Sequence, residues 1–240
     1  MKYPFLLGLL LSLPVLSWCQ ENPLERIVLE DDSLRQIVSN PAHQVQIIYT
    51  RIDRDRQNAP GFTTFTYGLD SSLYFYPAST VKMPAAALAL EKLNQLHIRG
   101  LDRDDRMVTG AVTPPQTAVD VDSSTADLRP TIAHYIKKIF LVSDNDAYNR
   151  LYEFLGQQYL NQRLHDKGFH RTRIIHRLSV SGYDTLGNRL TNPVSLYDGD
   201  ELRYHQGEVY SAFYPNLGLR SQVRGNGYID SNGELIEGEP

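Results

Sequence analysis

Cysteine is nearly absent: Cys19 is the only one in 240 residues. If Cys19 is lost with a leader, disulfides, cysteine ligands and thiol nucleophiles are excluded from the mature chain. An exported chain without disulfides fits a bacterial periplasm or cell surface better than a disulfide-stapled secreted module. Membrane-length hydrophobic runs are missing too. The stretch from Phe5 to Leu16 is interrupted by Pro14 and falls short of the roughly 20 apolar residues a spanning helix needs. There is no surplus of positive charge, with 24 Lys and Arg against 28 Asp and Glu and a net charge of −4. That balance carries no electrostatic footprint for nucleic acid. No internal repeat or low-complexity tract occurs. Lysine is absent after Lys167, and glutamate is absent between Phe154 and Asp200.

At the start, Lys2 precedes the apolar run, and Ser17-Trp18-Cys19 before Gln20 makes a small-any-small cleavage pattern. Residues 1–19 are therefore expected to be a signal peptide. The alternative is a lipoprotein anchored through Cys19, against which the bulky Trp18 argues. About 220 residues then remain, enough for one large domain over 20–240.

Apolar residues from Leu24 to Val38 follow a helical period that Pro41 ends. Val45, Ile47 and Tyr49, then Phe62, Phe65 and Tyr67, predict two strands joined by a wide turn through Gln57-Asn58-Ala59-Pro60-Gly61. Ser79 to Leu96 predicts a helix apolar all round, and hence buried. Pro84 is tolerated there if the first turn begins near Thr80. Asp102 to Asp127 reads as polar surface loops. Helices are expected over Thr131 to Val142, Ala147 to Leu155 and Gln157 to Leu164. Asn232-Gly233, between Tyr228-Ile229 and Leu235-Ile236, predicts a hairpin in a Gly- and Tyr-rich tail from Tyr204.

Two short motifs sit on this frame, Ser79-Thr80-Val81-Lys82 and Ser143-Asp144-Asn145. A serine hydroxyl is a weak nucleophile until a base takes its proton. Residues three apart on a helix share a face, so Lys82 can lie under Ser79. Burial lowers a lysine pKa, which makes a neutral amine base. Ser143 would supply a second hydroxyl for proton relay, Asn145 a carboxamide for a substrate amide, and Asp144 hydrogen bonds that hold the loop. The competing reading is helix capping, at which Ser and Asp excel. On composition, Ser-x-x-Lys occurs about once in a chain this long, whereas Ser-Asp-Asn is expected in only a few per cent of such chains. It is their joint occurrence, each beside a helix, that favours chemistry.

Ala78-Ser79-Thr80-Val81-Lys82 followed by Ser143-Asp144-Asn145 resembles the class A β-lactamase and penicillin-binding-protein superfamily of serine acyl-enzymes. The similarity spans about residues 24 to 200. It implies an α+β fold, an antiparallel sheet flanked by helices plus an all-helical subdomain. It implies acylation of Ser79, proton handling by Lys82 and Ser143, and substrate binding by Asn145. The substrate class would be a β-lactam or a peptidoglycan-like D-alanyl peptide, with no cofactor, no metal and no nucleic acid; the oligomeric state is left open.

Two departures qualify that expectation. Class A β-lactamases carry a glutamate that activates the deacylating water in a loop after the second motif. The corresponding segment, about Ile175 to Pro193, has Asp184 as its sole carboxylate, which predicts acylation with slow turnover. The third family motif, Lys-Thr-Gly, is also missing, and the strands that follow the helical subdomain are not evident in the sequence. An N-terminal portion of a longer chain, exposing apolar surface and an unpaired strand edge, is the resulting expectation. A non-catalytic protein that keeps the fold is the alternative. His165, His170 and His176 are not spaced as metal ligands on one helix face. Asp120-x-Asp122-x-Ser124 lacks the glycine and glutamate of a calcium loop. Tyr197, Tyr204, Tyr210, Tyr214 and Tyr228 are assigned to ordinary β packing.

Overall fold

The computed structural model describes residues 22–73, 75–212, 228–229 and 235–236. The expected signal peptide, Cys19, Tyr214 and the Asn232-Gly233 turn lie outside the described residues. The chain divides into two compact units after Tyr74.

In the first unit, helix α1 (Pro23–Glu30) starts where the Asn22 side chain accepts the Leu24 N–H at 3.1 Å, with Pro23 in its first turn. The single helix expected over Leu24 to Val38 is in fact two. The chain turns extended at Asp31, whose carboxylate caps α2 (Asp32–Ser39) by accepting the Leu34 N–H at 2.9 Å. A carboxylate able to bond the backbone ahead of it competes with helix continuation, which apolar periodicity does not register. The expected hairpin forms from β1 (Ile47–Arg54) and β2 (Pro60–Tyr67), antiparallel, with Tyr49 opposite Phe65 and their rings stacked at 6.0 Å. Asp55 closes its turn by accepting the Gln57 and Ala59 N–H groups. Ile48, Ile52 and Phe62 on this hairpin are exposed.

The second unit is built on three helices: α3 (Lys82–Gln95), α4 (Ile132–Val142) and α5 (Asn145–Leu155). From α3, Ala85, Ala86, Leu88, Ala89 and Leu93 enter the core; from α5, Ala147 and every residue on to Leu155 are buried. The all-round burial expected of α3 does not hold, since Met83 and Ala87 are exposed. Small alanines let neighbouring helices approach, and an alanine on the outer face costs little. Gly156, at φ +77°, ends α5 and starts α6 (Gln157–Asp166), a backbone angle that favours glycine.

A three-stranded antiparallel sheet covers one side of this core. It runs β3 (Arg106–Thr109), β5 (Val194–Asp198), β6 (Glu201–Gln206), with Met107 opposite Leu196 and Leu196 opposite Tyr204. Two expectations are corrected here. The stretch Asp102 to Asp127 is not all loop, because β3 buries Met107 and Thr109; four residues with a buried threonine leave too short an alternation to read. Strands also do follow the helical segment, at β5 and β6. A short pair, β4 (Leu190–Thr191) with β7 (Val209–Tyr210), lies beside them, and β8 (Tyr228–Ile229) pairs with β9 (Leu235–Ile236). Among the tyrosines assigned to packing, Tyr204 meets Phe154 edge-on at 6.3 Å, whereas Tyr210 is exposed and lies under the Arg189 guanidinium.

Candidate active site

Ser79 sits in a 3₁₀ turn (Ala78–Val81) that runs straight into α3. Side chains at i and i+3 of such a turn eclipse, so Lys82 stands directly beneath Ser79. Ala78, just before the serine, is held at φ +44°, a left-handed conformation unusual for a residue with a Cβ. Backbone strain of this kind is often concentrated at functional sites.

The second motif is the corner between α4 and α5. Ser143 adopts φ +54°, closing α4 through its N–H to the Ile139 carbonyl at 3.0 Å. Asp144 then caps α5, its carboxylate accepting the Ala147 N–H at 2.8 Å. Lys138 steadies the corner from behind, 3.5 Å from Asp144 and 3.1 Å from Asp122.

These elements converge on one amine. Lys82 is 2 % exposed, and its Nζ lies 3.2 Å from Ser79 Oγ, 3.0 Å from Ser143 Oγ, 2.6 Å from Asn145 Oδ1 and 2.5 Å from the Ser143 carbonyl. Burial holds its pKa below the ordinary lysine value, with the Asp144 charge pulling the other way. The carbonyl and the carboxamide oxygen can only accept, so they take two N–H groups. The remaining position on nitrogen faces two hydroxyls, each able to accept or donate. Ser79 and Ser143 are exposed, so the cluster opens to solvent.

A further set of residues, Asn145 apart, was not singled out from the sequence. Asn145, Asn149, Glu153, Gln157 and Asn161 recur every fourth position along α5 and α6, and each meets the segment 174–179. Asn145 Nδ2 donates to Ser179 Oγ at 2.8 Å. Asn149 brackets Leu178, donating to its carbonyl and accepting its N–H. Glu153 receives Arg177, Gln157 donates to the Ile175 carbonyl, and Asn161 brackets Ile174. Polar residues at i, i+4, i+8 on a helix otherwise lined by Tyr148, Leu151, Tyr152 and Leu155 were the readable signal. Buried polar groups need partners, and a loop backbone supplies them.

Arg177 is the strongest rung. Its guanidinium reaches Glu153 at 3.0 Å, the Gly187 and Leu190 carbonyls and Asn192, and stacks 4.0 Å from the Tyr183 ring centre. Burial pushes the Glu153 carboxyl up, and Arg150 and Arg177 pull it back only in part. Asp184 is committed to the loop itself, accepting the Gly187 N–H at 2.6 Å. His176 turns its ring to the Arg177 carbonyl, while the His165 and His170 rings lie 6.1 Å apart. A cleft of about 410 Å³ beside Pro114, Pro115, Tyr183 and Leu186 contains neither motif in its lining.

Fold and cluster together define a class: a mixed α+β protein of β-lactamase-like fold, helices over small antiparallel sheets, with a Ser–Lys pair facing a Ser-Asp-Asn corner. The chain belongs to the beta-lactamase enzyme family, whose model matches residues 31–201, and so to a group of β-lactamase-like hydrolases. No curated protein and no solved structure matches it significantly. Among the described residues, no helix is long and apolar enough to cross a membrane.

Proposed function

We propose that this is an exported serine hydrolase that forms an acyl-enzyme through Ser79 on a β-lactam or a related D-alanyl peptide amide. The observation that carries the reading is the single buried amine shared by Ser79, Ser143 and Asn145. In its neutral form, Lys82 keeps two N–H groups on the Ser143 carbonyl and Asn145 and turns its lone pair to the hydroxyls. Ser79 Oγ attacks the substrate carbonyl carbon as its proton passes to Lys82. The tetrahedral adduct collapses with cleavage of the C–N bond. Ser143 gives its proton to the departing nitrogen and regains one from Lys82, leaving Ser79 as an ester. Asn145 holds the substrate amide through its second Nδ2 hydrogen. Export rests on the sequence of residues 1–20.

Turnover is expected to be slow. The one carboxylate of the 175–193 segment, Asp184, is bonded within its own turn, and no other acidic side chain of that segment is available to activate water. The protein then behaves towards β-lactams as a penicillin-binding protein does. The test is the rate of labelling by a fluorescent penicillin as pH is varied. The rate should climb along a limb set by Lys82 and level off below pH 10.5, and Lys82→Met should abolish labelling while leaving the melting temperature within a few degrees. A Lys82→Met protein that labels at the normal rate would remove Lys82 from the mechanism.

A further inference from the structure

We infer that Ser179 is a positioning residue of the acylation site, acting through Asn145; this rests on the function proposed above. Asn145 has two tasks on opposite sides of its carboxamide. Its Oδ1 accepts from Lys82 at 2.6 Å, and its Nδ2 donates to Ser179 Oγ at 2.8 Å. One Nδ2 hydrogen remains for a substrate carbonyl. With Lys82 alone, the amide is held at one atom and can swing about that contact. The bond to Ser179 holds the other end and fixes the plane in which the free hydrogen points. A neutral Lys82 makes this restraint more important, because an amine lone pair also tolerates the flipped carboxamide and would then be occupied as a base.

The position of Ser179 is itself built. One turn along α5, Asn149 clamps the Leu178 backbone at 2.8 and 3.0 Å. The next rung, Glu153 to Arg177, is buried. Gln157 and Asn161 hold Ile175 and Ile174. The ladder therefore sets the register of the loop, and its last rung is the only one with an exposed loop side chain facing the site. Ser179 sits at φ +50°, a conformation that costs a non-glycine residue energy. A glycine would relieve that cost but would lose the hydroxyl.

This conflict between local preference and hydrogen bonding supplies the experiment. Second-order labelling by a fluorescent penicillin and the urea midpoint are measured for wild type, Ser179→Gly, Ser179→Asn, Asn145→Ala and Ser179→Gly/Asn145→Ala. Ser179→Gly is expected to keep or raise the midpoint, yet to label about tenfold more slowly, the weight of one hydrogen bond. Ser179→Asn, which accepts this backbone conformation and keeps an acceptor, should recover most of the rate. In the Asn145→Ala background, Ser179→Gly should change nothing further. A normal rate in Ser179→Gly, or an undiminished loss in the double variant, overturns the proposal while leaving the Lys82 mechanism standing. If Ser179→Gly does not fold, the strain argument fails, and a folded Ser179→Asn labelling tenfold slowly also counts against it. A wild type that never labels removes both readings, which separates the two failures.

Discussion

Replacing Glu153 by leucine removes the one acidic group between two buried guanidiniums. The side chains of Glu153, Arg177 and Arg150 are 0, 1 and 4 % exposed, and the carboxylate lies 3.0 Å from Arg177 and 3.1 Å from Arg150. Stripping one partner from a buried ion pair costs about 3–5 kcal/mol, because the charge left behind is uncompensated. Glu153→Leu leaves Arg177 without an acidic partner, whereas Arg150 keeps Asp146 at 3.7 Å, so a cost of about 4 kcal/mol is expected. Arg177→Met leaves Glu153 with Arg150, so about 3 kcal/mol is expected, part of it from the bonds lost to the Gly187 and Leu190 carbonyls. The double variant no longer strands Arg177, and its cost should fall short of the summed singles by about 2–3 kcal/mol. Urea unfolding at pH 7 measures all three, with Glu153→Gln as a milder variant that retains an acceptor. Hydrogen exchange at residues 175–190 should accelerate in each. Costs that add within about 0.5 kcal/mol would refute the reasoning, as would singles below 1 kcal/mol with unchanged loop exchange.

Other outcomes follow from single groups. Lys92 donates to the Phe154 and Leu155 carbonyls at the end of α5 and to Gln206, and burial lowers its pKa from 10.5 to about 8. Between those values the unfolded chain binds a proton that the native state does not, so stability should rise with pH from 8 towards 10, by up to about 3 kcal/mol over the full window. Lys92→Met should flatten the slope in urea titrations at pH 7, 8, 9 and 10; equal slopes would contradict the assignment. The raised pKa values of buried Tyr148 and Tyr152 act in the opposite sense, but only above about pH 10, where unfolded tyrosines ionise. Asp144→Ala should cost about 1–2 kcal/mol through loss of the α5 cap, whereas Asp144→Asn, which keeps an acceptor, should cost clearly less. Thermal melting distinguishes them, and equal losses would mean that the Lys138 ion pair, rather than the cap, is what matters.

The sequence was most readable where one physical signal acted alone. The hairpin β1–β2, the helices α4 to α6 and the corner at Ser143-Asp144-Asn145 follow from periodicity and turn residues. Asp31 broke a helix because its carboxylate offered the backbone a competing bond. Strand β3 was hidden because its burial depends on partners some ninety residues ahead. At the site, Ser79, Lys82, Ser143 and Asn145 could be paired from spacing, since each motif is local. Ser179 and Arg177 could not be, because what places them is contact with α5. The polar positions at fours from Asn145 to Asn161 were visible, yet what they bind lies on a loop whose path the sequence does not encode locally.

The central claim is that Ser79 is the nucleophile that becomes acylated, and intact-mass measurement after incubation with a fluorescent penicillin tests it most directly. The account predicts one adduct of the full penicillin mass on wild type, persisting for many minutes, and none on Ser79→Ala of equal stability. A wild type without adduct, or an equal adduct on Ser79→Ala, would contradict it.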